Sequence, residues 1–297
     1  MRIAITGSSG LIGTALSRRL TDEGHEVVPV VRSSPGDNQI GWSISEKKID
    51  EQAFDGIDAV VHLAGAGIGD KRWTDAYKKE ILESRTIGTD LVAQAVSSAS
   101  NPPSVLLSGS AIGYYGASPT AEFDETSPLG DGFLAEVCDA WEAAAAPAQE
   151  GDTRVVFLRT GIVLSADGGA LKKQLPLFKF GLGGKMGSGE QWQSWISIDD
   201  EVGAILHLLS SDVSGPVNLT APEPVTNAEF TKTLGGVLGR PTFLPIPKFG
   251  PKLLLGGELA ENLLFSGQKV LPTALERDGY EFAHRDLESA LRHLLGR

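Results

Sequence analysis

An α/β fold with a doubly wound parallel sheet is the architecture this sequence predicts. Three observations predict it. Short apolar runs rich in β-branched residues recur through the first 165 positions. They alternate with stretches of helical periodicity. The first run ends directly in the glycines of Thr6-Gly7-Ser8-Ser9-Gly10-Leu11-Ile12-Gly13.

Arg2-Ile3-Ala4-Ile5-Thr6 reads as a buried strand. Apolar residues at 11, 12, 15, 16 and 20 then follow helical spacing. Residues 26–31, 58–63, 104–108 and 154–160 read as four further strands, with helices over 73–98 and 133–149 between the later ones. Strand–helix alternation builds βαβ units with right-handed crossovers. After about residue 165 the texture changes. Glycines crowd 181–189, and 199–210 reads as a helix capped by its own aspartates. Residues 227–238 read as another helix. The four prolines of 241–251 suit an extended crossing segment, and 258–296 reads as mostly helical. The expected division is a nucleotide-binding core over 1–165. Residues 166–297 would supply late sheet strands and a small, mainly helical subdomain that covers the cleft, the whole forming one compact unit.

The bulk properties exclude several function classes. The formal net charge is −12, which repels phosphate backbones and anionic lipid, so neither nucleic acid nor a membrane is an expected partner. No apolar run reaches membrane-spanning length, and no charged-then-apolar leader precedes the first strand. The single cysteine, Cys138, allows no disulfide within the chain, and a reducing cytoplasm is the expected setting. The five histidines, at 25, 62, 207, 284 and 293, form no ligand pair at metal spacing along the chain, so no metal site is expected.

The glycines at 7, 10 and 13 follow a strand and open a helix. The first permits a tight turn, the second lets backbone approach a pyrophosphate, and the third lets helix pack on strand. The freed N–H groups at the helix start then face the phosphates. The alternative is a tight turn with no ligand. Where the second strand ends, an acidic side chain would accept from the ribose 2′-hydroxyl of NAD. Here stands Arg32, with Ser33 and Ser34 behind it and no acid until Asp37. An arginine there suits a 2′-phosphate, and the expected cofactor is NADP(H).

Three features together resemble the extended, epimerase-like form of the short-chain dehydrogenase/reductase superfamily. They are the Thr-Gly-x-x-Gly-x-x-Gly turn, His62-Leu63-Ala64-Gly65, and Ser108-Gly109-Ser110-Ala111-Ile112-Gly113-Tyr114-Tyr115-Gly116. Further stretches are similar to an atypical branch with its own small C-terminal domain, the NAD-dependent epimerase/dehydratase family proteins. They include Arg72-Trp73-Thr74, Ser84-Arg85, 133–138, Gly187-Ser188-Gly189-Glu190-Gln191-Trp192 and 224–230. The resemblance implies a Rossmann sheet. It assigns Gly7, Ser9, Gly10, Leu11, Ile12, Gly13, Arg32, Leu63, Ala64, Gly65, Ser108 and Arg159 to the cofactor. Arg85 joins them, with Glu80 one turn earlier. Apolar residues at 73, 77, 81, 88 and 92 place Arg85 on the inward face of its helix, where a charge needs a partner.

The resemblance breaks at the proton donor. The superfamily uses Tyr-x-x-x-Lys on one helix face, the lysine lowering the tyrosine pKa. The corresponding pairs here are Phe133 with Val137 or Leu134 with Cys138. No lysine lies between Lys79 and Lys172. Ser110 matches the family's catalytic serine, and Tyr114 and Tyr115 offer phenols; packing of the tyrosines is the competing expectation. Cys138 is expected to be a small buried hydrophobe. The loop 187–195 lacks the arginine that meets a nucleotide-sugar diphosphate and carries Trp192 and Trp195 instead, the latter expected to pack. Two functions follow. One is an NADP(H)-binding, epimerase-like oxidoreductase of a small carbonyl or sugar-like substrate, with Ser110 and Tyr114 as catalytic candidates and a non-standard proton donor. The other is a catalytically silent NADP(H)-sensing protein that acts through a partner; some look-alikes carry labels tied to cell division.

Overall fold

The computed structural model describes residues 1–297 except Ser33 and Glu51. In the first half, strands β1 (Arg2–Thr6), β2 (Glu26–Val31), β3 (Ile40–Ser43), β4 (Lys48–Ile49), β5 (Ala59–His62), β6 (Val105–Ala111) and β7 (Glu122–Phe123) enclose helices α1 (Leu11–Asp22) and α2 (Asp75–Ser98). Next come α3 (Phe133–Ala143), α4 (Ala146–Gln149), β8 (Arg154–Thr160), β9 (Ile162–Leu164) and α5 (Gly169–Lys179). The last third contains β10 (Trp192–Gln193), β11 (Trp195–Ser197), α6 (Ile198–Ser210), β12 (Gly215–Leu219), β13 (Val225–Thr226) and α7 (Asn227–Leu238). It closes with α8 (Phe249–Leu255), α9 (Gly257–Ala260), β14 (Lys269–Val270), α10 (Thr273–Arg277) and α11 (Leu287–Leu294).

Eight strands form one sheet in the order β12-β8-β6-β5-β1-β2-β3-β4, parallel except for the β3–β4 hairpin. The strand alternation sorts side chains onto two faces. Ile3, Ile5, Ala59, Val61, Val105, Leu107, Val156 and Leu158 face Leu16 and Leu20 of α1 and Ile205 and Leu208 of α6. Ala4, Val60, Leu106, Val155 and Phe157 share the opposite core with Val92, Ala93 and Val96 of α2 and Ala148 of α4. A third core joins Leu171 and Leu175 of α5, Phe230 and Leu234 of α7, and Leu287 and Leu291 of α11 around Trp195, which is fully buried as expected.

Several expectations shift. The strand expected over 104–108 runs on to Ala111, which moves Ser110 from a loop onto the sheet. The helix over 133–149 breaks at Ala144, where Pro147 opens a separate short helix. Residues 40–49 add an edge hairpin, and Trp42 on it is buried against Gly88, where a Cβ would come within 3.3 Å of the indole. The cap of α6 is Ser197, whose Oγ accepts from Asp200 N. Asp200 is buried instead, and its carboxylate accepts from Ala283 N and His284 N at 2.7 and 3.1 Å. The 241–251 stretch is not extended throughout: Lys248 is already in αR conformation, and α8 takes up Phe249 to Leu255, Pro251 included.

Glu201, beside it, is fully buried. Thr160 Oγ1 donates to its Oε1 at 3.0 Å, and its Oε2 has no partner. Burial pushes its carboxyl up to about 8, well above the value of about 4.3 in an unfolded chain. The folded protein therefore keeps this proton while the unfolded chain loses it. Stability contributed by the neutral acid is full below about pH 4 and falls as pH rises toward about 8. Glu201→Gln should flatten that decline, so its melting temperature should drop less than the parent's between about pH 5 and pH 8. Parallel melting curves for the two proteins would remove Glu201 as the cause.

Candidate active site

The carboxyl ends of the parallel strands open onto a cleft of about 1450 Å³. Its lining starts at Gly7–Gly10, passes Val30, Val31 and Arg32 at the end of β2, and includes Trp42, Ser43 and Lys47 from the edge hairpin. Leu63, Ala64 and Gly65 after β5, and Lys79, Glu80 and Ser84 on α2, also line it. A second hollow of about 310 Å³ lies between Leu11, Ile12, Gly13 and the segment Ile162–Val163.

The glycine turn has the geometry its sequence calls for. Gly7 has φ +67, and Gly10 N donates to Gly7 O at 2.9 Å. A Cβ on Gly13 would stand 2.2 Å from Gly7 O. Helix α1 starts with no side-chain cap and no acidic residue in its first turn, so its positive end is left for an anion. Behind the turn His62 is buried, with Thr6 Oγ1 2.8 Å from Nδ1 and Thr89 Oγ1 3.0 Å from Nε2. Burial lowers its imidazole to about 4, so it stays neutral.

The structure brings the expected cofactor residues to different places. Gly7, Ser9, Gly10, Arg32, Leu63, Ala64, Gly65 and Glu80 line the large cleft. Leu11, Ile12 and Gly13 line the smaller hollow. Ser33 lies outside the described residues. Glu80 is held by Lys71 at 3.2 Å and makes no pair with Arg85. Arg85 is buried, and its Nη1 donates to Ala66 O at 2.9 Å and Ile81 O at 3.1 Å. Among the described residues it has no carboxylate partner; its guanidinium lies 4.8 Å from the Trp141 ring centroid, and its Nε is unbonded. Burial lowers its pKa. Ser108 is fully buried with Oγ unpartnered, inside the sheet and away from the cleft lining.

Arg159 sits among different neighbours. The register aligns Ser110 of β6 with Arg159 of β8, and Arg159 with Asn218 of β12. Three polar side chains thus stand in a row at the carboxyl end of the sheet. Arg159 Nε and Nη2 each donate to Glu142 of α3 at 2.8 Å, a bidentate pair only a few per cent exposed on the arginine side. Ser110 Oγ donates to Glu142 Oε1 at 2.6 Å. Arg159 Nη1 donates to Tyr115 Oη at 3.0 Å, and Tyr115 Oη donates to Asn218 Oδ1 at 2.7 Å. The Tyr114 ring lies 3.4 Å from the Arg159 guanidinium carbon. Burial pushes the Tyr115 phenol up to about 12, against the pull of Arg159.

Glu142 is the residue that sequence reasoning missed. The available signal was spacing: 134, 138 and 142 fall on one helical face, and 142 carries its acid. The other two positions are Leu134 and Cys138. Cys138 is buried, its Sγ 3.5 Å from Ala111 O, and burial raises its thiol to about 12, so it is the inert hydrophobe expected.

The profile of the NAD dependent epimerase/dehydratase family matches residues 3–220. The chain belongs to this family. A domain of unknown function, DUF1731, matches residues 246–294, the stretch that carries α8 to α11. An epimerase family protein of Mycobacterium tuberculosis is 43% identical over 97% of this chain and 96% of its own length. The crystal structure of human epimerase family protein SDR39U1 with NADPH superimposes with a TM-score of 0.92 at 39% identity, covering 100% of both chains. A nucleoside-diphosphate sugar epimerase from Corynebacterium glutamicum gives 0.82 at 37% identity, over 100% of this chain and 58% of that one. The parallel sheet and cleft are thus those of an extended short-chain dehydrogenase/reductase. On α3 neither Phe133 with Val137 nor Leu134 with Cys138 supplies the superfamily's tyrosine and lysine. None of its described helices is long and apolar enough to cross a membrane.

Proposed function

We propose that this epimerase family member binds NADP(H) and transfers hydride to or from a small carbonyl or sugar-like substrate, with Ser110 and Glu142 as its proton route. The observation that carries the proposal is the Ser110–Glu142–Arg159 network at the carboxyl ends of β6 and β8.

The residues present fit NADP(H). Gly10 leaves open the space where a Cβ would stand 3.2 Å from Gly7 O, and α1 presents an uncapped N-terminus. Arg32 and Lys47 line the cleft beyond β2 and would meet a 2′-phosphate. Arg85, with Nε unpartnered and its guanidinium near Cys138, would supply a cation beside α3, a helix that carries no lysine. The structure of human SDR39U1 with NADPH supports the same choice. When bound, the nicotinamide supplies a hydride donor or acceptor.

The chain's own groups handle the proton. Ser110 donates to Glu142, so its oxygen lone pairs are left to accept from a substrate hydroxyl. As hydride leaves the substrate carbon, the hydroxyl proton passes to Ser110 Oγ, and the Ser110 proton passes to Glu142 Oε1. The reverse sequence reduces a carbonyl. Arg159 fixes both Glu142 oxygens, and Tyr114, stacked on Arg159, is the second hydroxyl candidate.

The test is NADPH consumption over a panel of carbonyl compounds, with NADPH affinity measured in parallel. The parent chain should bind NADPH more tightly than NADH and turn over at least one compound. Ser110→Ala should keep NADPH affinity and lose about 10²–10⁴ in turnover. Tight NADPH binding without turnover on any compound would favour the silent sensor, a reading supported by the missing Tyr-x-x-x-Lys pair.

A further inference from the structure

We infer that Asp199, His284 and His293 form a binding site for a borderline divalent transition ion, with Zn²⁺ as its representative, that fastens the C-terminal region to the sheet-bearing part of the chain. The three side chains are far apart in sequence, and each offers one ligand atom. Those atoms all lie within 4.8 Å of one another. His293 Nε2 stands 3.2 Å from Asp199 Oδ2. Bonds of about 2.0–2.1 Å in a tetrahedron give ligand–ligand edges of about 3.3 Å, so this pair is already at the spacing a tetrahedral ion requires. The His284 and His293 rings are 4.8 Å apart at 35°. Two imidazoles and one carboxylate form a donor set suited to Zn²⁺ and poorly suited to Mg²⁺ or Ca²⁺.

The backbones that carry the ligands are fixed. Asp199 lies in the first turn of α6, which packs on the sheet through Val202, Ile205 and Leu208. The neighbouring Asp200 carboxylate is fully enclosed and accepts from His284 N, which ties the 280–284 segment to α6. Tyr280 Oη donates to Asp200 O at 3.1 Å as a second tie. His293 lies in the last turn of α11, anchored by the buried Leu287, Ala290 and Leu291. With the three ligand atoms already within 4.8 Å of one another, side-chain rotations would gather them around one centre. Arg19 lies within electrostatic reach of Asp199, but its guanidinium is bonded to Glu23. The other histidines are engaged elsewhere: His25 with the N-terminal amine, His62 with Thr6 and Thr89, and His207 with Asp278. None of the three ligands lines the cofactor cleft, so this site stands or falls apart from the proposed activity.

The ligands bridge two regions. Asp199 belongs to the stretch matched by the epimerase/dehydratase profile, and both histidines belong to the DUF1731 stretch. A bound ion therefore cross-links α6 to the 284–293 segment and raises the stability of the folded chain by mass action. Calorimetric titration of tag-free, chelator-treated full-length protein with Zn²⁺ at neutral pH should give one ion per chain and a raised melting temperature. His284→Ala and His293→Ala, both checked for native circular dichroism, should each weaken Zn²⁺ by about a hundredfold or more and abolish the thermal shift. His25→Ala should change neither, and Mg²⁺ should give no saturable heat. Absence of saturable Zn²⁺ binding, equal Mg²⁺ binding, or Zn²⁺ affinity unchanged in both histidine variants would overturn the site.

Discussion

Gly13→Ala should bind NADPH about a hundredfold more weakly than the parent chain, a loss of about 2.7 kcal/mol. The added methyl would stand 2.2 Å from Gly7 O, 2.7 Å from Ser8 Cα and 2.9 Å from Gly7 C, all backbone atoms. No side-chain rotation relieves such a contact. The first turn of α1 must shift away from β1, and overpacking of this kind costs about 1–3 kcal/mol of stability. The same shift misaims the N–H groups at the start of α1, which bind phosphate only when they converge. Gly24→Ala is the control. Gly24 lies beyond the far end of α1 with no atom within 4 Å of the added methyl, though its φ of +82 makes any side chain strained there. It should lower the melting temperature slightly and leave NADPH affinity unchanged. NADPH fluorescence titration reads both variants, and parental affinity in a folded Gly13→Ala would remove the turn from the cofactor site.

Arg159→Met should destabilise the fold by about 3–5 kcal/mol. The Glu142 carboxylate is held on both oxygens by Arg159 and is only 12% exposed. Without the guanidinium it keeps a single donor, Ser110, and remains an uncompensated charge between α3 and the sheet. Tyr115 loses a donor in the same step, and Tyr114 loses the cation beneath its ring. The double variant Arg159→Met with Glu142→Gln should recover much of the loss, because it removes the stranded charge as well. Thermal and urea unfolding of the parent, both single variants and the double variant give the coupling between the two residues. A single variant as stable as the parent would show that the pair contributes nothing to the fold.

What was legible in the chain was local. The alternation of β-branched runs with helical stretches marked β1, β2, β5, β6 and β8 and helices α1, α2, α3 and α7, because burial on a sheet face or helix stripe writes its period into the residues. The inward position of Arg85 followed from the same period. The boundary of β6 was not legible, since Ser108-Gly109-Ser110 lacks the apolar residues that mark a strand and is held in the sheet by pairing with β8. The β3–β4 hairpin was missed for a related reason. Two- and four-residue strands carry too few alternations to show a period, and pairing with β2 and the burial of Trp42 against α2 fix them.

The sequence by itself determined the parallel α/β architecture, the glycine turn and the missing tyrosine–lysine pair, all properties of neighbouring residues. Tertiary structure decided the rest. Strand register set Ser110, Arg159 and Asn218 in one row, and the packing of α3 brought Glu142 onto that row. The packing of α11 and the Asp200 tie brought His284 and His293 to Asp199, although along the chain the histidines pointed to no metal site. Register and helix placement are set by the fit of whole faces over long sequence separations, and no local pattern of residues encodes that fit.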